Sequence, residues 1–301
     1  MKLKKKNTRI KESLDDRILN AVVIVIMIAF CFIIIYPLVY ILSSSFSSGT
    51  AITSGKVLLW PVDFTLQGYK IVFQYKQVWI GYANTLFYTF VGTAMNMVIT
   101  ILAAYPLARR NLRGRRQIML LFTITMFFSG GMVPSYILMS QLNLIDTRWA
   151  ILLPGLISVY NMIIMRTFFE NSVPYELLEA SKLDGISDFG YMTKILLPLS
   201  KSCLAVITLY YAVAHWNNYF TAKLYLNDTK LMPLQNMLRN ILTASQLDMS
   251  QIESDAYMDM LGAVDVMKYA LVVVATVPIL VIYPFVQKYF EKGVMVGSVK
   301  G

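Results

Sequence analysis

Charge is scarce in this sequence. Asp, Glu, Lys and Arg make up 15% of its 301 residues and hydrophobic types 57%, against about a quarter and roughly half in soluble domains. An ordinary soluble fold is excluded, and the chain reads as an all-α polytopic membrane protein. Cysteine is nearly missing: Cys31 and Cys203 each lie in or beside an apolar run without a ligand-spaced partner. That excludes a disulfide framework or thiolate metal site and leaves two small buried hydrophobes. The apolar runs hold no carboxylate, because all 17 Asp and Glu residues fall in tails and loops. A proton relay therefore lacks a carrier, although sodium held by backbone carbonyls stays open. His215 is the single histidine, so no paired nucleophile and base exists at membrane depth. No catalytic residue and no metal are expected, and the chain is not read as an enzyme. The phosphate-cradling pattern G-x-x-x-x-G-K-S/T is missing too, the lone Gly55-Lys56 lacking its other positions. If ATP drives this protein, another polypeptide binds it.

What is present is long apolar runs. A bilayer core takes about 20 apolar residues as a helix, and six stretches qualify, near 18–42, 83–107, 118–138, 149–168, 204–224 and 269–286. The first exceeds the 7–15 apolar residues of a signal core and ends without a small-x-small site, so it is expected to be retained. Lys and Arg set the orientation. Nineteen of the 27 fall in four alternate segments. These are the N-terminal tail (Lys2, Lys4, Lys5, Lys6, Arg9, Lys11, Arg17), the loop with Arg109, Arg110, Arg113, Arg115 and Arg116, the stretch with Arg166, Lys182, Lys194 and Lys201, and the tail with Lys288, Lys292 and Lys300. Six transmembrane helices with both termini cytoplasmic follow. The net charge of +10 is then a topology signal; no nucleic-acid motif accompanies it. The expected layout is a basic cytoplasmic tail at 1–17, a first transmembrane helix at 18–45 and an extracellular segment at 46–80. A core at 81–290 contains a cytoplasmic segment at 174–200 and an extracellular loop at 225–268, and a cytoplasmic tail closes the chain at 291–301.

The cytoplasmic segment includes ELLEASKLDGISDFGYMTKILLP. Ser172 is placed to cap a helix with Pro174 in its first turn. Leu177, Leu178, Ala180 and Leu183 form an apolar side, with Glu176 and Glu179 favoured by the helix dipole. Gly185 is a stop; Ser187 caps a second short helix that Pro198 ends. The small residues Ala180 and Ser181 allow another surface to come close. Local physics leaves two readings: transmission of force from a cytoplasmic partner, or an amphipathic loop lying on the bilayer.

Glu179-Ala180-Ser181, then Gly185, then Ile195, Leu197 and Pro198 resemble the E-A-A-x3-G-x9-I-x-L-P signature of ABC importer permeases, Ser181 being the departure. FSGGMVPSYIL, LIDTRWAILLPGLISVYNMIIMRTFF, AVAHWNNYF, LMPLQNMLRNIL and EKGVMVGSVKG are similar to the carbohydrate branch of that family, the oligosaccharide or maltose type. The resemblance covers nearly the whole chain from about Leu58. It implies a type I ABC importer permease architecture and assigns ATPase coupling to Glu179, Ala180, Ser181, Asp184, Gly185, Ile195, Leu197 and Pro198. It also implies a second homologous permease in a heterodimer, two ATP-binding subunits that hydrolyse ATP with Mg, and an extracellular sugar-binding lipoprotein. This chain would bind no cofactor itself. It would sit, surrounded by lipid, in a bacterial inner (plasma) membrane of Gram-positive type. Amino acids or peptides are the competing cargo, and an ion-gradient carrier the competing mechanism.

Amides and aromatic rings suit sugar hydroxyls and ring faces. The candidates for a substrate path are Tyr160, Asn161, Tyr211, Trp216, Asn217 and Asn218, each of which can equally be helix–helix glue. His215 reads as a packed, neutral hydrogen-bonding residue. Ser129-Gly130-Gly131 and Pro134 mark a break, either a pore-lining hinge or a tight helix crossing. Pro233 opens an external helix through Leu234, Met237, Leu238 and Leu242, which either meets the binding protein or caps the permease pair. Asp255, Asp259 and Asp265 lack a calcium-loop pattern and read as a solvated face, and the 18 methionines as packing.

Overall fold

The computed structural model describes residues 13–247 and 255–298, and among these every regular element is helical. The basic tail residues Lys2, Lys4, Lys5, Lys6, Arg9 and Lys11, together with Lys300, lie outside the described residues, as do the side chains of Asp255 and Asp259. The chain divides into two units, residues 1–70 with 252–273, and residues 71–251 with 274–301.

In the first unit, α1 (Leu14–Ser45) begins at a reciprocal cap: Ser13 Oγ accepts from Asp15 N and Asp16 Oδ2 accepts from Ser13 N. It is apolar on every side and buried only at Ser43, Ser44 and Ser45, the pattern of a lipid-facing span. At that end hydroxyls hold the following segment. Ser43 Oγ donates to Leu59 O at 2.6 Å, Ser47 Oγ accepts from Val62 N at 3.0 Å, and Ser45 Oγ and the Tyr69 hydroxyl share a bond of 2.8 Å. The short α2 (Gly49–Thr53) adds Ala51 and Ile52 to a cluster with Val57 and Val266. α3 (Gln67–Gln74) leads into the second unit.

The spine of the second unit is α4 (Lys76–Ala108). Its buried positions Gly81, Asn84, Thr85, Tyr88, Gly92, Asn96, Thr100, Ala104 and Leu107 recur every three or four residues, one face of a helix. It is followed by α5 (Arg115–Phe127), α6 (Met132–Gln141), α7 (Trp149–Leu152), α8 (Val159–Asn171), α9 (Glu176–Leu183), α10 (Asp188–Leu199), α11 (Lys201–Trp216), α12 (Phe220–Tyr225) and α13 (Leu234–Leu247), of which α7, α8, α11 and α13 pack on α4, α5 on α8 and α12 on α7. The last helix, α14 (Asp255–Ser298), runs through both units.

Among the described residues, helices α1, α4 and the 262–282 part of α14 are each long and apolar enough to cross a membrane, and two bent pairs bring the number to as many as five. Three of the apolar runs are therefore not simple rods. The 118–138 run bends by 108° between α5 and α6, at Ser129-Gly130-Gly131. The 149–168 run unwinds at 153–158, where Pro154 offers no N–H and Gly155 follows it. The 204–224 run stops at Trp216 and resumes at Phe220. Pro198, expected to end a helix, sits inside α10. The stop falls at Ser200, where α10 and α11 meet at 84°. A π turn at Met192–Leu196 accommodates the proline downstream.

Candidate functional site

The 174–200 segment forms a helix–turn–helix. Ser172 proves to be the C-cap of α8, and the N-cap of α9 is Tyr175, which makes no side-chain capping bond. The turn closes as the glycine predicts. Gly185 has φ +74°, its N–H reaches Lys182 O at 3.1 Å, and Ile186 N reaches Ser181 O at 2.9 Å, which satisfies the last carbonyls of α9. A Cβ on Gly185 would meet nothing within 4 Å, so backbone conformation and not room demands glycine there. Ser187 then caps α10, accepting from Gly190 N at 3.2 Å.

The expected single apolar side of α9 is in fact two. Leu178 (3% exposed) and Ser181 (2%) face inward, joining a core that includes Tyr191, Met192 and Leu196. Leu183 is 90% exposed and Phe189 in the next helix 69%. Glu179, Ala180, Asp184, Gly185 and Pro198 are also exposed, whereas Ile195 and Leu197 pack on the core. Leaving a leucine in water forfeits about 1.5–3 kcal/mol that burial would supply. Leu183 and Phe189 are thus large apolar side chains that the segment leaves uncovered.

The segment is fastened to the ends of the long helices. Arg109 Nη2 pairs with Asp188 Oδ1 at 2.7 Å, its Nη1 donates to the Tyr105 hydroxyl at 2.8 Å, and that hydroxyl donates to Asp188 O at 3.1 Å. Glu170, at the end of α8, accepts from Arg115 and Arg166, each at 2.8 Å. Arg166 Nε also donates to Leu107 O at 2.9 Å. The Arg110 guanidinium lies 5.1 Å from the Tyr175 ring centre. Arginines that the sequence marks as topology signals are thus also clasps; the i,i+4 spacing announces the Arg166–Glu170 pair, but no spacing rule announces Arg109–Asp188 or Arg115–Glu170.

Deeper in the second unit, a polar cluster holds the unwound 153–158 linker. Asn96 Nδ2 donates to Gly155 O at 2.9 Å and Leu156 O at 2.8 Å. Its Oδ1 lies 2.7 Å from His215 Nε2, so the amide's geometry assigns the proton to Nε2. The ring abuts Gly92, where a Cβ would come within 2.5 Å of it. The Tyr211 hydroxyl bonds Thr100 Oγ1 at 2.7 Å and accepts from Ser158 N at 3.1 Å. Backbone freed by Pro154 is re-satisfied by side chains, as unwound chain at membrane depth requires. The signal for this cluster was available: Asn96 and Thr100 sit one turn apart on the buried face of a largely apolar run.

Beside the linker lies a cavity of about 740 Å³, lined by residues that include Thr89, Tyr160, Asn161, Tyr210, Trp216 and Ile279. Its volume is that of a small-molecule site, and no lining side chain is charged. Of the six expected path residues it brings together Tyr160, Asn161 and Trp216. Tyr160 is 56% exposed; Trp216 Nε1 donates to Ala275 O at 3.1 Å and meets the Tyr82 ring edge-on at 5.9 Å. Tyr211 is instead buried in the polar cluster. Asn217 and Asn218 fall in the linker just past Trp216, with Asn217 Oδ1 accepting from Gln235 Nε2 at 3.4 Å. Among the described residues no three His, Cys, Asp or Glu side chains gather as a metal site would need.

A second linker is locked from outside the cavity. Asp146 accepts from Asn227 N, from Asp228 N at 3.0 Å and from Asn227 Nδ2 at 3.1 Å. These bonds, those from the Asn227 and Asp228 backbone first, hold its carboxyl below the usual carboxylate range.

Residues 96–296 match the family model described as binding-protein-dependent transport system inner membrane component. The chain is 40% identical over 291 residues to the polygalacturonan/rhamnogalacturonan transport system permease protein YtcP of Bacillus subtilis (strain 168), covering 96% of this chain and all of that one. It is 41% identical over 269 residues to protein LplC of the same organism, 89% of this chain and 90% of that one. The structure is similar to a chain of a bacterial ABC transporter involved in the import of the acidic polysaccharide alginate. The TM-score is 0.85 at 35% identity, with 93% of this chain and 99% of that one covered.

Proposed function

We infer that this chain, which belongs to the family of binding-protein-dependent transport system inner membrane components, is the permease subunit of an ATP-driven importer of carbohydrates. The observation that carries this reading is the exposure of Leu183 and Phe189 on a helix–turn–helix clasped to α4 by Arg109–Asp188. A partner's groove would cover these side chains. In the proposed cycle separate subunits hydrolyse ATP with Mg, close on one another and displace the 174–200 segment; this chain makes and breaks no bond. Because α9 and α10 connect directly to α8 and α11, the displacement reaches the cavity walls and exposes them alternately to the two sides of the membrane.

The finer features belong to the same proposal. The chain would cross a bacterial plasma membrane of Gram-positive type six times, with both termini and the 174–200 segment cytoplasmic and the 225–233 linker outside. It would pair with a second, homologous permease, two ATP-binding subunits and an extracellular sugar-binding lipoprotein. Support for an oligosaccharide cargo comes from relatives named for polygalacturonan and rhamnogalacturonan, arabinooligosaccharides and alginate. Galacturonan and alginate are polymers of sugar acids, which makes an acidic oligosaccharide the favoured cargo.

The test is affinity purification of the chain from its native membrane in mild detergent, with mass spectrometry of what accompanies it. A second permease and an ATPase are expected. A chain recovered alone and stable, with uptake driven by an ion gradient, would overturn the reading.

A further inference from the structure

We propose that Arg239, held over Tyr219 in the linker that follows the cavity residue Trp216, receives a carboxylate of the transported oligosaccharide. This inference rests on the importer reading and on the orientation proposed with it. The cavity wall on α11 ends at Trp216, and the next three residues form the linker to α12. Two α13 side chains one helical turn apart bear on that linker: Gln235 donates to Asn217 Oδ1 at 3.4 Å, and the Arg239 guanidinium lies 5.0 Å from the Tyr219 ring centre. Residues four apart on a helix share a face, so α13 presents an amide and a guanidinium together.

Three features favour a carboxylate. Arg239 is exposed and has no carboxylate partner among the described residues, whereas Arg109, Arg115 and Arg166 each have one. Contact with an aromatic ring occupies the face of a guanidinium and leaves the in-plane N–H fork for bidentate pairing. The cavity itself offers only aliphatic, aromatic, hydroxyl and amide groups, and a carboxylate entering it without a cation loses its hydration uncompensated. Trp216, Tyr160 and Tyr210 supply ring faces for the sugar rings, while Arg239 supplies a charge at the linker just past Trp216.

The experiment is uptake by the complete complex with its binding protein in proteoliposomes, comparing trigalacturonate with neutral maltotriose. Loss of one charge-assisted contact predicts a rise of about tenfold in KM for trigalacturonate in Arg239→Gln. The maximal rate and any maltotriose uptake should stay at the wild-type level, and Arg239→Lys should recover part of the loss. An unchanged trigalacturonate KM overturns the proposal. So does an equal rise for both sugars, which would make Arg239 a contact for the binding protein or a lipid headgroup. Wild-type uptake of maltotriose but not trigalacturonate would sink the carboxylate site and leave the importer reading standing, whereas ATP-independent uptake of either sugar would sink the importer reading itself.

Discussion

At the scale of single residues, Gly185 and Ser187 do what their chemistry announces in the sequence, one ending a helix with a left-handed residue and the other capping the next. The direction of Leu183 was not legible, because helical spacing groups Leu177, Leu178, Ala180 and Leu183 without saying which of them the core will claim. Only the burial of Leu178 and Ser181, with Leu178 in one core with Leu196 and Met192, decides it. Leu183→Asp is expected to leave the spans folded and to abolish ATPase retention on the permease. ATP-dependent uptake should drop at least tenfold, and co-purification on a tagged chain checks the binding step. Gly185→Asp adds backbone strain of about 1–3 kcal/mol at φ +74° and should uncouple or disassemble the complex; normal uptake with normal ATPase association would contradict the coupling role. In the polar cluster, an average membrane hydrogen bond is worth about 0.6 kcal/mol, but Asn96→Leu strands two carbonyls at roughly 1–3 kcal/mol each. A clear fall in melting temperature in lipid nanodiscs is expected for Asn96→Leu and a smaller one for His215→Leu. His215→Gln, which keeps an N–H donor, should melt close to wild type.

Among the elements, apolar runs locate helices well and locate their interruptions poorly. Pro106 and Pro37 lie inside unbroken helices, whereas Pro154 coincides with an unwound stretch. The difference is the company each keeps: only the 153–158 linker has Asn96 and Tyr211 at hand to satisfy freed backbone groups. Proline alone in a sequence carries no such information. The Asp146 lock on the 225–228 stretch was equally hidden, since it joins residues about 80 positions apart. Its pH dependence follows from the sign of the shift. The folded carboxyl titrates below its ordinary value near 3.8, so the stabilisation is complete above that value and is lost as pH falls through the lower folded one. Amide exchange at Asn227 and Asp228 should be slow and flat from neutral pH to about 4 after correction for intrinsic rates, rising only in stronger acid. In Asp146→Asn the protection should be reduced across the whole range.

Across the whole molecule, membrane class and family were open to reading from composition and from Glu179–Pro198, because those signals are local. The cavity was half legible. Trp216 and Asn161 announce themselves as polar-aromatic residues in apolar runs, yet Tyr211, of the same kind, spends its hydroxyl on Thr100 and Ser158. Sequence cannot separate a ring that faces a void from one that faces a helix. The proposed sidedness makes a direct prediction. With Cys31 and Cys203 replaced by serine, a cysteine at Asn227 should react with a membrane-impermeant maleimide on intact cells, and one at Ser187 only after permeabilisation. The reverse pattern would invert the topology and remove the basis for the coupling assignment.

The right-angled join at Ser200 makes α10 and α11 a bell crank. A push along one arm must appear as a swing of the other about the elbow. The second arm is 16 residues long, about 24 Å at 1.5 Å per residue, with the cavity's Trp216 at its tip. Rotating the crank by only a few degrees would carry that indole an ångström or two. The Arg109–Asp188 clasp holds the far end of the first arm, so it fixes the crank's resting angle, and loosening it should alter how far the cavity opens per ATP without touching the cavity at all.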